Sequence, residues 1–193
     1  DTHDNTAIGM NALAANTGSD NTAVGAECLE ANTTGSYNTA VGHKAADSNT
    51  TGGEVTSVGY RSLQANTTGD QNTAIGADSM YTNTTGEYNT ALGYMSLYTN
   101  NANSNTAIGY QALRVNTTGS NNCALGYQSL DANTTGADNS AFGWHTMGNN
   151  TTGTDNTAIG FACMEGNTTG SHNTAVGSYC LDSNTTGNEN TAL

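Results

Sequence analysis

Proline is absent from this 193-residue chain, and lysine and arginine together number only 3 against 16 acidic residues, a formal net charge of -13. Leu, Ile, Val and Phe supply just 22 residues. Each shortage excludes something. Three cations are too few to track a phosphate backbone, which argues against nucleic-acid binding. No run approaches 18 apolar residues, so no segment reads as a membrane-spanning helix, and the first residues lack the charged-then-apolar layout of a secretory leader. So few aliphatics do not fill one large globular core, which argues against an ordinary enzyme. Low hydrophobicity with high net charge is also the compositional mark of disorder. Yet disordered chains are rich in Pro, Glu, Ser and Lys, and here Asn, Thr and Gly supply 28, 34 and 24 residues.

Self-comparison at fixed offsets resolves the conflict. Asn-Thr-Ala-aliphatic-Gly, or a close variant, recurs at residues 5, 21, 38, 55, 72, 89, 105, 122, 139, 156 and 173, and a partial copy starts at 190. The spacing is 17 residues except for two steps of 16. The unit is N-T-A-φ-G-x-x-[A/S/C/T]-[L/M]-x-x-N-T-T-G-x-x, with φ apolar, and its positions are numbered 1 to 17 below; residues sharing a position in successive copies form a rank. Position 5 is Gly and position 12 is Asn in all eleven full copies, whereas positions 6, 7, 10, 16 and 17 vary. Both short copies lose a residue at the Asn-Thr-Thr-Gly corner, where a turn absorbs deletions better than a strand does. A phase lock of this kind belongs to a folded repeat.

Seventeen residues are too few for a helix pair, and the unit has no 3.6-residue apolar stripe. The pattern predicts an all-β parallel β-solenoid, or β-roll, of about eleven coils over residues 1–193. Each coil is expected to hold two or three short strands broken at the position-5 Gly and the Asn-Thr-Thr-Gly corner. Stacking at about 4.8 Å gives a rod on the order of 50 Å long. Gly25, Gly42 and Gly76 read as corners needing positive φ or close backbone approach. Asn32, Asn66 and Asn133 read as rungs of a corner ladder whose amides bond their own backbone and the adjacent copy. The apolar residues of positions 4 and 9, with the small ones of positions 3 and 8, are all that a coil can bury.

Positions 3 and 4 are adjacent, so a regular strand points them to opposite faces, and the same reasoning applies to positions 8 and 9. One face fills the coil and the other meets a second apolar environment. This predicts lateral association of identical chains, with rank 4 or rank 9 buried against partners, preferably in a three-fold bundle. The competing reading bends the chain at the position-5 Gly so that all four residues face inward in a monomer.

The stretch Asn105-Thr106-Ala107-Ile108-Gly109-Tyr110-Gln111-Ala112-Leu113, followed by Asn116-Thr117-Thr118-Gly119, resembles the 17-residue repeats of phage tail-fibre and bacterial surface-fibre proteins. More distantly the unit is similar to the shorter repeats of trimeric autotransporter adhesin heads. The likeness covers essentially the whole chain. It implies a structural fibre or adhesin segment, extracellular, on a cell surface or on a virion, often preceding a self-cleaving chaperone domain. The open phase at both ends suggests a segment of a longer fibre, or a subunit stacking end to end as a filament.

The chemistry-bearing residues fall on particular ranks of the repeat. Position 6 carries five consecutive aromatics, Tyr94, Tyr110, Tyr127, Trp144 and Phe161. Such a stripe either packs as a ladder or, facing solvent, stacks on sugar rings of cell-surface glycans. Threonine ranks at positions 2, 13 and 14 offer an ice-binding face as an alternative function. The Asn-Thr-Thr sequons read as structural, because a ladder Asn points into its turn. His3, His43, His145 and His172 share no rank, so no zinc site is expected. Cys28, Cys163 and Cys180 occupy position 8 as small buried residues, with Cys123 at position 2, and reduced thiols are expected. Acidic residues collect at positions 10 and 17. Stacked pairs such as Asp138/Asp155 and Glu165/Asp182 leave Ca²⁺ as a weak alternative to no cofactor, since the calcium-roll signature is missing. No carboxylate pair stands out for acid–base chemistry, so no enzymatic activity is expected.

Overall fold

A computed structural model describes residues 4–193; His3 lies outside the described residues. The chain forms one sheet of twelve parallel strands stacked in sequence order. They are β1 (Thr6–Ile8), β2 (Thr22–Val24), β3 (Thr39–Val41), β4 (Thr56–Val58), β5 (Thr73–Ile75), β6 (Thr90–Leu92), β7 (Thr106–Ile108), β8 (Cys123–Leu125), β9 (Ser140–Phe142), β10 (Thr157–Ile159), β11 (Thr174–Val176) and β12 (Thr191–Ala192). Register follows the repeat, Thr on Thr and Ala on Ala, as in Thr22↔Thr39 and Ala23↔Ala40. The fold is the expected β-solenoid. The strand count per coil differs: a single three-residue strand at positions 2–4 takes the place of the two or three anticipated, and turns make up the remainder.

The reason lies in the backbone. Besides the position-5 glycines, with φ between 133° and 142°, the residues at positions 7, 9 and 17 of every coil have positive φ, as at Arg61 (51°), Leu63 (51°) and Gln71 (55°). Left-handed backbone costs an L-residue roughly 1 kcal/mol or more. Bonding between coils offsets it. The amides of Gly25, Glu27 and Tyr37 donate to the preceding coil, at Ile8, Met10 and Ser19, over 2.7, 2.8 and 3.0 Å. Those of Thr22, Leu29, Ala31 and Thr33 donate to the following coil, at Asn38, Ala45, Asp47 and Thr50, over 2.8 to 3.0 Å. Bonds running both ways around the circumference tie each coil to its two neighbours.

Left-handed residues also decide what faces inward. In the strand, Ala at position 3 is buried while its neighbours point out, the alternation expected of extended backbone. At position 9 the chain has turned, so positions 8 and 9 both enter the coil, Cys28 beside Leu29 and Ser79 beside Met80, all fully buried. The expectation that 8 and 9 face opposite ways is thereby corrected, as is the monomer reading with all four inward, because position 4 stays outside. The core is a column of rank-3 Ala, rank-8 small residues and rank-9 Leu or Met. It divides where Ala46 replaces the larger side chain, into a segment from Ala23 to Ala46 and one from Val55 to Ala175.

Candidate functional site

The strand face carries a row of exposed apolar side chains. Ranks 2 and 4 project from it, and rank 6 follows around the glycine corner. Leu92, Leu125 and Ile159 at position 4 are 44%, 43% and 42% exposed. The 12 copies of positions 2 to 4, and the glycine after them, hold no charged residue. The position-5 glycine allows this close stacking: a Cβ on Gly25, Gly42 or Gly76 would overlap the carbonyl of the next coil's glycine.

At position 6 the five aromatics stack in register. Ring centroids are 5.4 Å apart for Tyr94–Tyr110, 5.1 Å for Tyr110–Tyr127, 5.9 Å for Tyr127–Trp144 and 4.7 Å for Trp144–Phe161. The last three pairs lie within 8° of parallel. Ring faces cover one another, leaving edges to solvent. Ala77 interrupts the series below Tyr94. There the Arg61 guanidinium lies 4.7 Å from the Tyr60 centroid and 5.0 Å from that of Tyr81, bridging to a second stack, Tyr81–Tyr98.

All three basic side chains are spent on acids of the adjacent coil. Arg61 reaches Asp78 at 2.8 Å, Arg114 grips Asp131 at 2.7 and 3.2 Å, and Lys44 meets Glu27 at 2.9 Å. The hydrogen bond from Lys44 holds the Glu27 carboxyl below the usual carboxylate range. His43, His145 and His172 each sit beside one acid, Glu27, Glu165 and Asp155, at 3.9, 3.3 and 3.9 Å. Among the described residues no three His, Cys, Asp or Glu converge as a metal site. Asp138 accepts from Asn121 at 3.0 Å, and Glu165 faces His145, so these members of the acidic pairs have protein partners.

The corner asparagines use both amide protons. Asn66 Nδ2 donates to Asn49 Oδ1 at 2.7 Å and to the Gly69 carbonyl at 2.9 Å, and Asn32 and Asn133 do likewise within their own rungs. All three are fully buried. The nitrogen that would carry a glycan is committed to the ladder. A parallel ladder runs through position 1, where Asn38 accepts and donates in turn. Among the cysteines, all of them free thiols, burial pushes Cys28 up to about 11 and raises Cys163 as well.

One depression departs from the repeat. It holds about 220 Å³, with Gly53, Tyr37 and Tyr88 among the residues that line it. Sequence reading passed over it, although a signal existed: position 16 bears a side chain in every other full copy, and only Gly53 lacks one. Comparison with known protein families, with curated proteins and with solved structures finds no match.

Proposed function

We propose that this chain is a structural segment of an extracellular or virion fibre, without enzymatic activity, that associates laterally with copies of itself through its strand face. The observation that carries this is an apolar face free of charge on a chain of net charge -13. Approach through ranks 10, 16 and 17 sets carboxylates against carboxylates, whereas this face offers an outward Val, Ile, Leu or Phe in every coil. A face on the order of 50 Å long and three outward ranks wide offers roughly 600 Å² per chain, close to one partner's share of a standard interface. Parallel copies would add the second apolar layer that a core one side chain thick lacks. The variable ranks then remain outside as the displayed surface.

Sedimentation velocity across the micromolar range tests this reading. The wild-type chain is expected to associate, and the double substitution Leu92→Asp and Leu125→Asp to sediment as a folded monomer. A monomeric wild type overturns it. One observation favours a second reading: rank-2 Thr stands outward in register beside rank 4, a flat uncharged array suited to ordering water. Ice recrystallisation inhibition by a monomeric chain, lost in Thr106→Lys, would select that ice-binding role instead.

A further inference from the structure

We infer that the depression over Gly53 binds one neutral pyranose unit of a carbohydrate. It lies on ranks 14, 16 and 17, outside ranks 2, 4 and 6, so the inference stands apart from lateral association.

The glycine is the first argument. The other ten full copies place a side chain at position 16, from Ser36 to Asp70 on the flanking coils. The backbone conformation does not demand glycine here. Gly53 lies outside the left-handed region, and an added Cβ would find no atom closer than 3.2 Å, the Ser36 carbonyl oxygen. The corner glycines, by contrast, combine positive φ with backbone overlap. A side chain at Gly53 would press on the Ser36 carbonyl oxygen, a close contact that a shift of a few tenths of an ångström relieves.

The walls supply the second argument. Tyr37 and Tyr88 stand three coils apart on rank 17, about 14 Å at the inter-strand spacing, with Glu54 and Gln71 between them. They are 65% and 56% exposed and stack on no other ring among the described residues, unlike the position-6 aromatics. Left-handed backbone at Tyr37 (61°) and Tyr88 (60°) fixes both side chains on the outer corner.

The polar groups supply the third. Glu54 Oε2 accepts from Gln71 Nε2 at 2.9 Å, and Asp70 Oδ1 accepts from the Gly53 amide at 2.7 Å. These bonds hold both carboxylates in place and leave the second oxygen of each, with the Gln71 amide oxygen, as further acceptors among the lining residues. The lining carries no cationic side chain. An acceptor-rich, acidic cleft repels phosphate, sulfate and acidic sugars and suits a ligand rich in hydroxyl donors. Ring C–H faces suit tyrosine, and hydroxyls suit the carboxylates. Ca²⁺ takes six to eight oxygens, and two carboxylates each anchored to a protein donor fall short of that.

The test is an amide-resolved NMR titration of the intact chain, in chelator, with the methyl glycosides of glucose, galactose, mannose and N-acetylglucosamine. Saturable shifts confined to the amides around Tyr37, Gly53, Asp70 and Tyr88 are expected for at least one of them. Gly53→Asn fills the cleft with a residue that rank 16 already holds at Asn103, and should weaken binding at least about tenfold at unchanged melting temperature. Tyr88→Ala, on an exposed side chain, serves if that variant misfolds, with the same loss expected. Neutral oligosaccharides from glycoproteins and from polysaccharides then distinguish the two sources. Absence of saturable shifts with every glycoside overturns the inference, as does full binding in both variants, or Ca²⁺ alone shifting the same amides.

Discussion

The amide of Val55 donates to Asn38 Oδ1 at 2.9 Å, and there the rank-1 ladder stops, because valine has no carboxamide to pass the bond on. It restarts at Asn72, whose Oδ1 accepts from the Asn89 amide at 3.0 Å. Val55→Asn should close the gap. Losing two buried methyl groups costs about 1.6 kcal/mol, against about three new hydrogen bonds of roughly 1 kcal/mol each. The net gain expected is about 1 kcal/mol, or an increase of about 2 to 4 °C in Tm. Thermal unfolding checks it, and an unchanged or lower Tm sinks it.

Asn66→Ala should do the reverse on the other ladder. It strips a donor from Asn49 Oδ1 and the Gly69 carbonyl, and an acceptor from Asn83 Nδ2. Each buried group left without a partner costs about 1 to 3 kcal/mol, so a loss of about 3 kcal/mol or more is expected. Coils contact only their neighbours, so the damage is local. Hydrogen exchange should accelerate first around Asn49, Asn66 and Asn83. Uniform acceleration along the whole rod would contradict the nearest-neighbour account.

Period and corners were legible in the sequence because Gly76 and Asn66 belong to ranks that admit a single residue type. The turn conformation was less so, since Leu63, Met80 and Leu113 look like ordinary core residues, yet their φ values are 51° to 52°. A negative signal did exist. The chain has 34 threonines, but none falls at positions 7, 9 or 17, and neither does any valine or isoleucine. These are the left-handed ranks, and a β-branched side chain is the one such backbone tolerates least. The outward turn of position 4 was legible as strand alternation. The inward pairing of Ser79 with Met80 was hidden, because alternation does not survive a left-handed residue. The Gly53 cleft was obscured for another reason: averaging over copies suppresses the one that differs.

That exclusion is testable at Leu113, fully buried with φ of 52°. Leu113→Met, matching Met147 and Met164 on the same rank, should cost under about 1.5 kcal/mol. Leu113→Val removes one methylene, a change of about 1 kcal/mol in an ordinary core. Here it also forces a β-branched residue into left-handed backbone, and about 3 kcal/mol is expected. Chemical denaturation of the two variants decides. Equal costs would mean that the left-handed turn is not what excludes valine.

Cys28 gives the solenoid a dependence on alkaline pH. Its thiol is fully buried beside Leu29 and donates to the Ala40 carbonyl at 3.2 Å. Burial is the main cause that raises it from 9.0 to about 11, opposed in part by a backbone contact at Val24. A raised value means the folded chain holds this proton more tightly than the unfolded chain does. The contribution to stability is therefore complete below pH 9 and lost as pH climbs through 11. Its size is about 2.5 kcal/mol. Cys28→Ala places at position 8 the residue found at Ala45 and Ala112, so the coil should keep its shape. Every other ionisable group is common to both chains, so its contribution cancels in the comparison. The difference between the two stability curves isolates the thiol. It should be flat up to pH 9 and then move steadily against the wild type up to pH 11. Parallel curves across that interval would show that the thiol does not resist ionisation in the folded coil.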